Sequence, residues 1–78
     1  MGTRILDVRG RACPAPIVEL MRTIRGMQDG EHVEVLADDR AFPADIAAWC
    51  RRTRNALIRI ETTHEVHAAL VQKGGGAA

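Results

Sequence analysis

The sequence predicts an α/β (α+β) two-layer sandwich in which two helices cover one face of a four-stranded mixed sheet, in the order β-α-β-α-β-β. Three observations support this fold class. The chain has 78 residues, which is enough for one hydrophobic core and too few for two. Its residues are 46% hydrophobic but only 3% aromatic, so aliphatic side chains must fill that core. Stretches of alternating hydropathy are interrupted twice by stretches with helical spacing.

The first third of the chain predicts a strand followed by an amphipathic helix. Thr3 to Val8 is apolar and β-branched and leads into the loop Arg9-Gly10-Arg11, which indicates a short strand. From Pro14 to about Met27, apolar residues recur every three or four positions and charged residues take the other face, as is typical of a helix. A second strand follows this helix, so the crossover should be right-handed.

The middle of the chain predicts a second strand and a second helix. Asp29-Gly30 is typical of a turn, and His32 to Ala37 alternates as a half-buried strand does. Asp38-Asp39 is expected to cap a helix that begins near Ala41, and Asp45 suits the positive end of that helix. We expect this helix to end at about Asn55.

Two further strands are predicted in the last third. Ala56 to Glu61 should form the third strand, with Ile58 and Ile60 on one face. Thr62-Thr63 should turn the chain into a fourth strand, whose alternating residues are Val66, Ala68 and Leu70.

The chain is predicted to be a single domain, residues 1–73, with a flexible tail, residues 74–78, that has nothing to bury. No apolar run reaches the length of a membrane span, and the N-terminus lacks the apolar core of a signal peptide. Two cysteines in such a chain are expected to be free thiols. We therefore expect a cytoplasmic protein with no membrane segment.

Cys13 is the candidate reactive residue, because it stands directly before Pro14 at the predicted start of the first helix. The residue before a proline is extended, as an N-cap residue is, so Cys13 is expected to cap the helix. Its sulfur would then accept from the Ala15 amide, and the helix dipole with Arg9 and Arg11 would lower the thiol pKa below about 8.5. Such a thiolate is an activated nucleophile. The alternative is that Cys13 only fills the junction between loop and helix.

The sequence around Cys13 resembles a family signature. Residues 10–16, Gly-Arg-Ala-Cys-Pro-Ala-Pro, are similar to the Gly-x-x-Cys-Pro-x-Pro string of the TusA/SirA family of sulfur carriers. The similarity continues along the chain through Met27–Glu31, Ala37–Ala41, Asp45-Ile46 and Trp49-Cys50. The resemblance implies the same two-layer fold and a persulfide carried on Cys13. The supporting residues expected around that sulfur are Arg9, Gly10, Arg11, Pro14, Ala15 and Pro16.

The resemblance also implies partners. A cysteine desulfurase or a rhodanese-like protein would donate sulfur, and a downstream protein would accept it, so the chain would act as a relay rather than as an ordinary turnover enzyme. No cofactor is implied, and we expect a monomer when free. Arg11 stands where relatives often carry Leu, which places a charge in the expected docking surface. The final product stays open among a modified tRNA, a cofactor, a selenium-related product and an oxidised sulfur species.

Two other functional classes stay open. A thiol redox protein would pair Cys13 with Cys50, whose Cα atoms would have to approach within about 7 Å. Cys50, however, falls on the apolar stripe of the second helix and is expected to be a buried packing residue. A nucleic-acid-binding module would suit the many arginines, but the net charge of +1 and the scarcity of aromatic residues argue against direct nucleic-acid contact.

A metal site is not expected. His64 and His67 are three residues apart, so in a strand they would point to opposite faces. His32 and the two separated cysteines do not complete a set of zinc ligands. The histidines are therefore expected to be solvated surface residues.

Overall fold

The helices and strands follow the predicted order in a computed structural model that describes residues 3–76. The elements are β1 (Arg4–Asp7), α1 (Ala15–Arg25), β2 (His32–Ala37), α2 (Phe42–Thr53), β3 (Ala56–Thr63) and β4 (Val66–Gln72). They build one sheet with the strand order β1-β2-β4-β3, in which β1 and β2 are parallel and the other neighbours are antiparallel. The predicted α+β sandwich with a four-stranded mixed sheet is therefore confirmed.

The hydrophobic core lies between the helices and one face of the sheet. Along β2 and β4 every second residue is buried, because successive side chains of a strand point to opposite faces. Val33 pairs with Val71 and Val35 with Ala69, so the two central strands present one continuous apolar surface. The helices cover it with Leu20, Ile24, Phe42, Ile46 and Trp49. Within residues 3–76 neither helix is both long and apolar enough to cross a membrane.

The turn between the last two strands lies two residues later than predicted. Thr62 and Thr63 still belong to β3, and the chain reverses at His64 and Glu65. Both of these residues have positive φ, 49° and 67°. A two-residue hairpin turn of this kind needs positive φ at both positions and usually takes Asn or Gly there. His64-Glu65 contains neither Asn nor Gly, so there is no reason in the sequence to place the turn there rather than at Thr62-Thr63.

A β-bulge separates Ile58 from Ile60, so the prediction that they share a face is wrong. Leu57 pairs with Val71 and Arg59 with Leu70, which leaves Ile58 as an extra residue opposite no partner. Ile58 is 48% exposed, whereas Ile60 packs against the core. The bulge therefore reverses the alternation within β3.

The fourth strand faces the helices with the residues that the sequence analysis did not select. Burial alternates so that His67, Ala69 and Val71 are buried. The predicted set, Val66, Ala68 and Leu70, lies on the opposite, half-exposed face of the sheet. The predicted strand is thus confirmed, and the alternating residues named from the sequence form its half-exposed face.

The first glycines of the predicted tail are hydrogen-bonded to the end of α2. The Gly74 N–H donates to Asn55 Oδ1 at 2.9 Å, and the Gly76 N–H donates to the carbonyl of Arg54 at 3.1 Å. The buried Asn55 also donates from Nδ2 to Thr53 Oγ1 at 2.9 Å. Residues 77 and 78 lie outside the described residues, and the flexibility of residues 74–78 stays a prediction.

Candidate functional site

Cys13 lies in the loop that leads from β1 into α1, partly exposed and in contact with the core. The N-cap residue of α1 is Pro14, with φ −94° and ψ 12°, and the helix begins at Ala15. The prediction that Cys13 caps this helix is therefore wrong. The bond between Cys13 and Pro14 is cis. The Ala15 N–H donates to the carbonyl of Ala12 at 3.0 Å, so this amide is already engaged and does not serve the Cys13 sulfur as predicted.

Asp38 holds the loop that carries Cys13. Its Oδ1 accepts from the N–H of Gly10 at 2.9 Å, across 28 residues of sequence. Gly10 has a φ of 84°, a conformation that glycine adopts without steric cost. The Val8 N–H donates to the Leu36 carbonyl at 2.8 Å, which fastens the start of the same loop to β2. Asp38 was predicted to cap α2, but its side chain instead ties this loop to the end of β2.

Asp39 performs the local role at the start of α2. The N-cap residue of this helix is Ala41 rather than an aspartate. Asp39 Oδ2 accepts from the Ala41 N–H at 2.9 Å, and its carbonyl accepts from Phe42 at 3.1 Å. Asp39 thus shapes the turn that begins the helix without being its cap.

Arg9 and Arg11, which were predicted to stabilise a Cys13 thiolate, are both paired with other carboxylates. The Arg9 guanidinium bonds Asp7 at 2.8 Å, and this hydrogen bonding lowers the pKa of Asp7 to about 2. The Arg11 guanidinium contacts Glu19 at 3.3 Å. The positive charge expected near the thiol is thus neutralised by partners on β1 and α1.

The groups that act on the Cys13 thiol are acidic. Burial raises the pKa of Cys13 to about 12, and hydrogen bonding to Asp45 and then to Asp39 adds to the rise, as does the negative charge of both carboxylates. The predicted direction, a pKa below the ordinary value, is therefore wrong. Sequence reasoning explained both aspartates by local roles at the helix start. It missed that they raise the pKa of this thiol. Free Cys13 is a neutral thiol near pH 7.

This raised pKa has a consequence for stability at high pH. Folding raises the pKa of the Cys13 thiol to about 12 and, through burial, that of the Cys50 thiol to about 11. The folded state therefore holds these protons more tightly than the unfolded state, and the stabilisation is complete below pH 9 and lost as the pH rises toward 11 and 12. We expect the denaturant midpoint of the wild type to fall across this window.

Two substitutions provide the control for this pH dependence. Cys13→Ser and Cys50→Ala each remove one of the titrating thiols, so each should flatten part of the alkaline decline relative to the wild type. The measurement is the denaturant midpoint at a series of pH values from 7 upward. Equal slopes in all three proteins would show that neither thiol has a raised pKa.

A shallow groove of about 250 Å³ lies between the two helices and is lined by Pro14, the residue that follows Cys13. Pro14 and Ile17 of the first helical segment and Ala48 and Trp49 of α2 supply apolar contacts. Asp45 and Arg52 supply one charge of each sign. A partner that reached the thiol would meet this groove beside it.

Cys50 is 3% exposed and belongs to the hydrophobic core, as expected for a packing residue. Both cysteines are free thiols. A cavity of about 610 Å³ borders Cys50. Its lining residues include Arg51, Arg54 and Asn55, together with Gly75 and Gly76. Cys13 is not among the residues that line this cavity.

The prediction of solvated histidines is wrong for His67. Its ring is buried, stacks on Phe42 with the ring centroids 6.1 Å apart, and bonds Thr62 Oγ1 through Nδ1 at 2.8 Å. His64 is exposed, as predicted. Among residues 3–76, no group of three or more His, Cys, Asp or Glu side chains could hold a metal ion.

Comparisons with known proteins identify the family. The family model described as Sulfurtransferase TusA matches residues 4–73, which include the whole Cys13 loop. A proposed sulfur carrier protein of Bacillus subtilis, YrkF, is 34% identical over 73 residues, which are 94% of this chain and 40% of that protein. A proposed sulfur carrier protein of Aquifex aeolicus is 32% identical over 74 residues, 95% of this chain and 38% of that protein. The chain thus spans about two fifths of the length of these relatives, and it belongs to the sulfurtransferase TusA family.

Proposed function

We propose that this protein is a sulfur carrier that holds a persulfide on Cys13 and relays it from a donor protein to an acceptor protein. The observation that carries the proposal is the setting of Cys13. It is a free and partly exposed thiol at the entrance to α1, within the Cys-Pro-Ala-Pro string of a chain that belongs to the TusA family. The names of the two relatives, both described as sulfur carriers, support the same function.

The proposed reaction is a thiol exchange that needs no outside oxidant or reductant. The sulfur of Cys13 attacks the terminal sulfur of a donor persulfide, R–S–SH, and a new S–S bond forms as the donor's S–S bond breaks. The donor leaves as a thiolate and takes up the proton that Cys13 gives up, so the products are R–SH and a Cys13 persulfide. In the second step an acceptor thiol attacks the terminal sulfur of that persulfide, and Cys13 is the leaving group. No cofactor takes part.

The neutral state of the resting thiol suits a carrier. Thiolates are the species that oxidants and electrophiles attack, and a thiol whose pKa is raised to about 12 offers very little thiolate near pH 7. The sulfur is therefore protected until a partner docks. If the Cys13 thiol ionised freely, oxidants would attack it, and an oxidised Cys13 could no longer accept sulfur.

The partners follow from this chemistry and from the family. We infer that a cysteine desulfurase or a rhodanese-like protein donates, and that a protein with a reactive cysteine accepts. Both would contact the surface around Cys13, including the groove beside Pro14 and the ion pair of Arg11 with Glu19. We place the relay in the cytoplasm, where free thiols persist, and we propose that the carrier is a monomer between encounters.

The thiol redox alternative gains no support from the position of Cys50. A resolving cysteine must reach its partner's sulfur, and Cys50 lies buried in the core on the far half of α2. The relay is therefore the function that the site supports best.

The experiment that tests this function follows labelled sulfur through two steps. A purified cysteine desulfurase with sulfur-labelled cysteine loads the protein, the protein is separated from the donor, and a rhodanese with a free active-site cysteine is then added. We expect label on the carrier after the first step, removable by dithiothreitol, and label on the rhodanese after the second. A carrier that takes up label from neither a desulfurase nor a rhodanese persulfide would contradict the proposal.

A further inference from the structure

We propose that the cavity beside Cys50 is a binding site for an organic phosphate, a phosphate monoester with a small apolar body. The cavity measures about 610 Å³, which is a usual size for a small-molecule site. It lies where the end of α2 meets the start of β3 and the glycines that follow β4, and Cys13 does not line it. The inference thus goes beyond the carrier function, and neither depends on the other.

The charges that line this cavity are positive. They belong to Arg51 and Arg54, and no Asp or Glu is among the described residues that line it. Burial raises the pKa of the Cys50 thiol to about 11, so this side chain is neutral near pH 7 and adds no negative charge. Two guanidinium groups outweigh the negative end of the α2 dipole, which is worth about half an elementary charge. The cavity therefore favours an anion.

Neither arginine of the cavity has a carboxylate partner among residues 3–76. The two arginines of the Cys13 loop, by contrast, contact carboxylates at 2.8 and 3.3 Å. A guanidinium presents its N–H donors in a planar fork that matches the oxygens of a phosphate. A phosphate monoester carries a charge of about −1.5 to −2 at pH 7, which matches two guanidinium groups better than one carboxylate does.

Arg54 has a backbone conformation that helix stability does not explain. It is the C-cap residue of α2, with φ 60° and ψ 33°, in the left-handed region. Helices commonly end on a residue in this conformation, and that residue is usually glycine, because a Cβ is sterically unfavourable there. The chain thus carries arginine where glycine would be more stable. Strained residues of this kind cluster at ligand sites, so the strain supports a binding role for this side chain.

One wall of the cavity is formed by backbone that is held in place. The Gly74 N–H donates to Asn55 Oδ1 at 2.9 Å, and the Gly76 N–H donates to the Arg54 carbonyl at 3.1 Å. A Cβ on Gly76 would lie 2.7 Å from backbone atoms of Arg54 and Asn55, so only glycine fits there without a shift. Gly75 belongs to the same wall, and its N–H has no acceptor among residues 3–76. This N–H is available as a donor to a phosphate oxygen.

The remaining lining residues are apolar and would contact the body of the ligand. They are Ala47, Cys50, Ala56 and Leu57. Inorganic phosphate would leave this surface in contact with water, whereas an apolar group attached to the phosphate would cover it. A monoester should therefore bind more tightly than inorganic phosphate.

Phenyl phosphate is the probe for this site, and inorganic phosphate and benzoate are the comparison ligands. Binding is followed near pH 7 by a ¹H–¹⁵N NMR titration of the full chain. We expect saturable shifts at the backbone amides of Asn55 and Gly75 and at the Nε–H groups of Arg51 and Arg54. The affinity for phenyl phosphate should exceed that for either comparison ligand by about tenfold. Absence of saturable shifts at the cavity would overturn the inference, as would equal affinity for phenyl phosphate and for either comparison ligand.

Arg51→Gln and Arg54→Gln should each weaken the binding of phenyl phosphate by about tenfold, because each removes a charge-assisted contact to the phosphate. Arg52→Gln is the matched control. It removes the same charge from the neighbouring position, but Arg52 lines the groove between the helices and not this cavity. Its effect on the affinity should stay below about twofold, as expected for a distant surface charge. An equal loss in all three variants would mean that net charge alone attracts the anion, and it would overturn the inference.

Arg54→Gly distinguishes a binding role from a structural one. Glycine relieves the left-handed strain, so the urea midpoint should rise above that of the wild type. The guanidinium is lost at the same time, so the affinity for phenyl phosphate should fall by about tenfold. Stability and binding are thus expected to move in opposite directions. A lower urea midpoint with unchanged affinity would show that Arg54 serves the helix end only and would contradict the proposed site.

Discussion

Cys13→Ser is expected to accept no sulfur from any donor, because a serine hydroxyl cannot form the S–S bond of a persulfide. Its stability should stay within about 1 kcal/mol of the wild type, since Cys13 is partly exposed and does not cap α1. Loading is read from the intact mass as the gain of one sulfur atom that dithiothreitol removes. Stability is read from the denaturant midpoint.

Cys50→Ser is the matched variant for this prediction. It should load sulfur on Cys13 at the wild-type level, but it should lose about 1–3 kcal/mol of stability because a hydroxyl is buried among apolar neighbours. The two substitutions thus separate chemistry from packing. Sulfur uptake by Cys13→Ser would end the carrier account. Loss of loading in both variants, together with a Cys13–Cys50 disulfide in the oxidised wild type, would favour the redox alternative.

Phe42→Ala is expected to lower the free energy of unfolding by about 3–5 kcal/mol, more than any other substitution proposed for this protein. Phe42 is 0% exposed, opens α2 and stacks on the buried ring of His67. Its removal leaves a cavity between the helix and β4, in a domain whose total stability is of the order of 10 kcal/mol.

Phe42→Leu keeps the test decisive if the alanine variant does not fold. Leucine fills most of the space, so this variant should remain folded and lose clearly less stability than Phe42→Ala does. Urea midpoints of the wild type and both variants give the comparison. A loss below 1 kcal/mol in Phe42→Ala would contradict the packing described for this corner of the core.

The elements with strong periodicity could be predicted from the sequence, and the places where the backbone departs from regularity could not. The alternation from His32 to Ala37 predicted β2 to the residue, because each of its faces has a single environment. The bulge at Ile58 and the His64-Glu65 turn carry no residue type that demands them. Both are fixed by the pairing of β3 with β4, which no local pattern contains.

The reactive residue was predictable and its surroundings were not. Cys13 stood out because of the prolines that follow it. The roles given to Arg9 and Arg11 rested on nearness along the chain, whereas their ion pairs show that each had a closer carboxylate. Asp45 lies 32 residues beyond Cys13, and it raises the pKa of that thiol only because α1 and α2 pack side by side.

The most direct test of the central claim is the position of the transferred sulfur. The wild type is loaded by a cysteine desulfurase with cysteine, its thiols and persulfides are alkylated, and peptides containing Cys13 and Cys50 are compared by tandem mass spectrometry. The account expects one additional sulfur on the Cys13 peptide, removed by dithiothreitol before alkylation, and none on the Cys50 peptide. Additional sulfur on the Cys50 peptide alone, or on neither peptide with a donor that loads another TusA-family carrier, would contradict it.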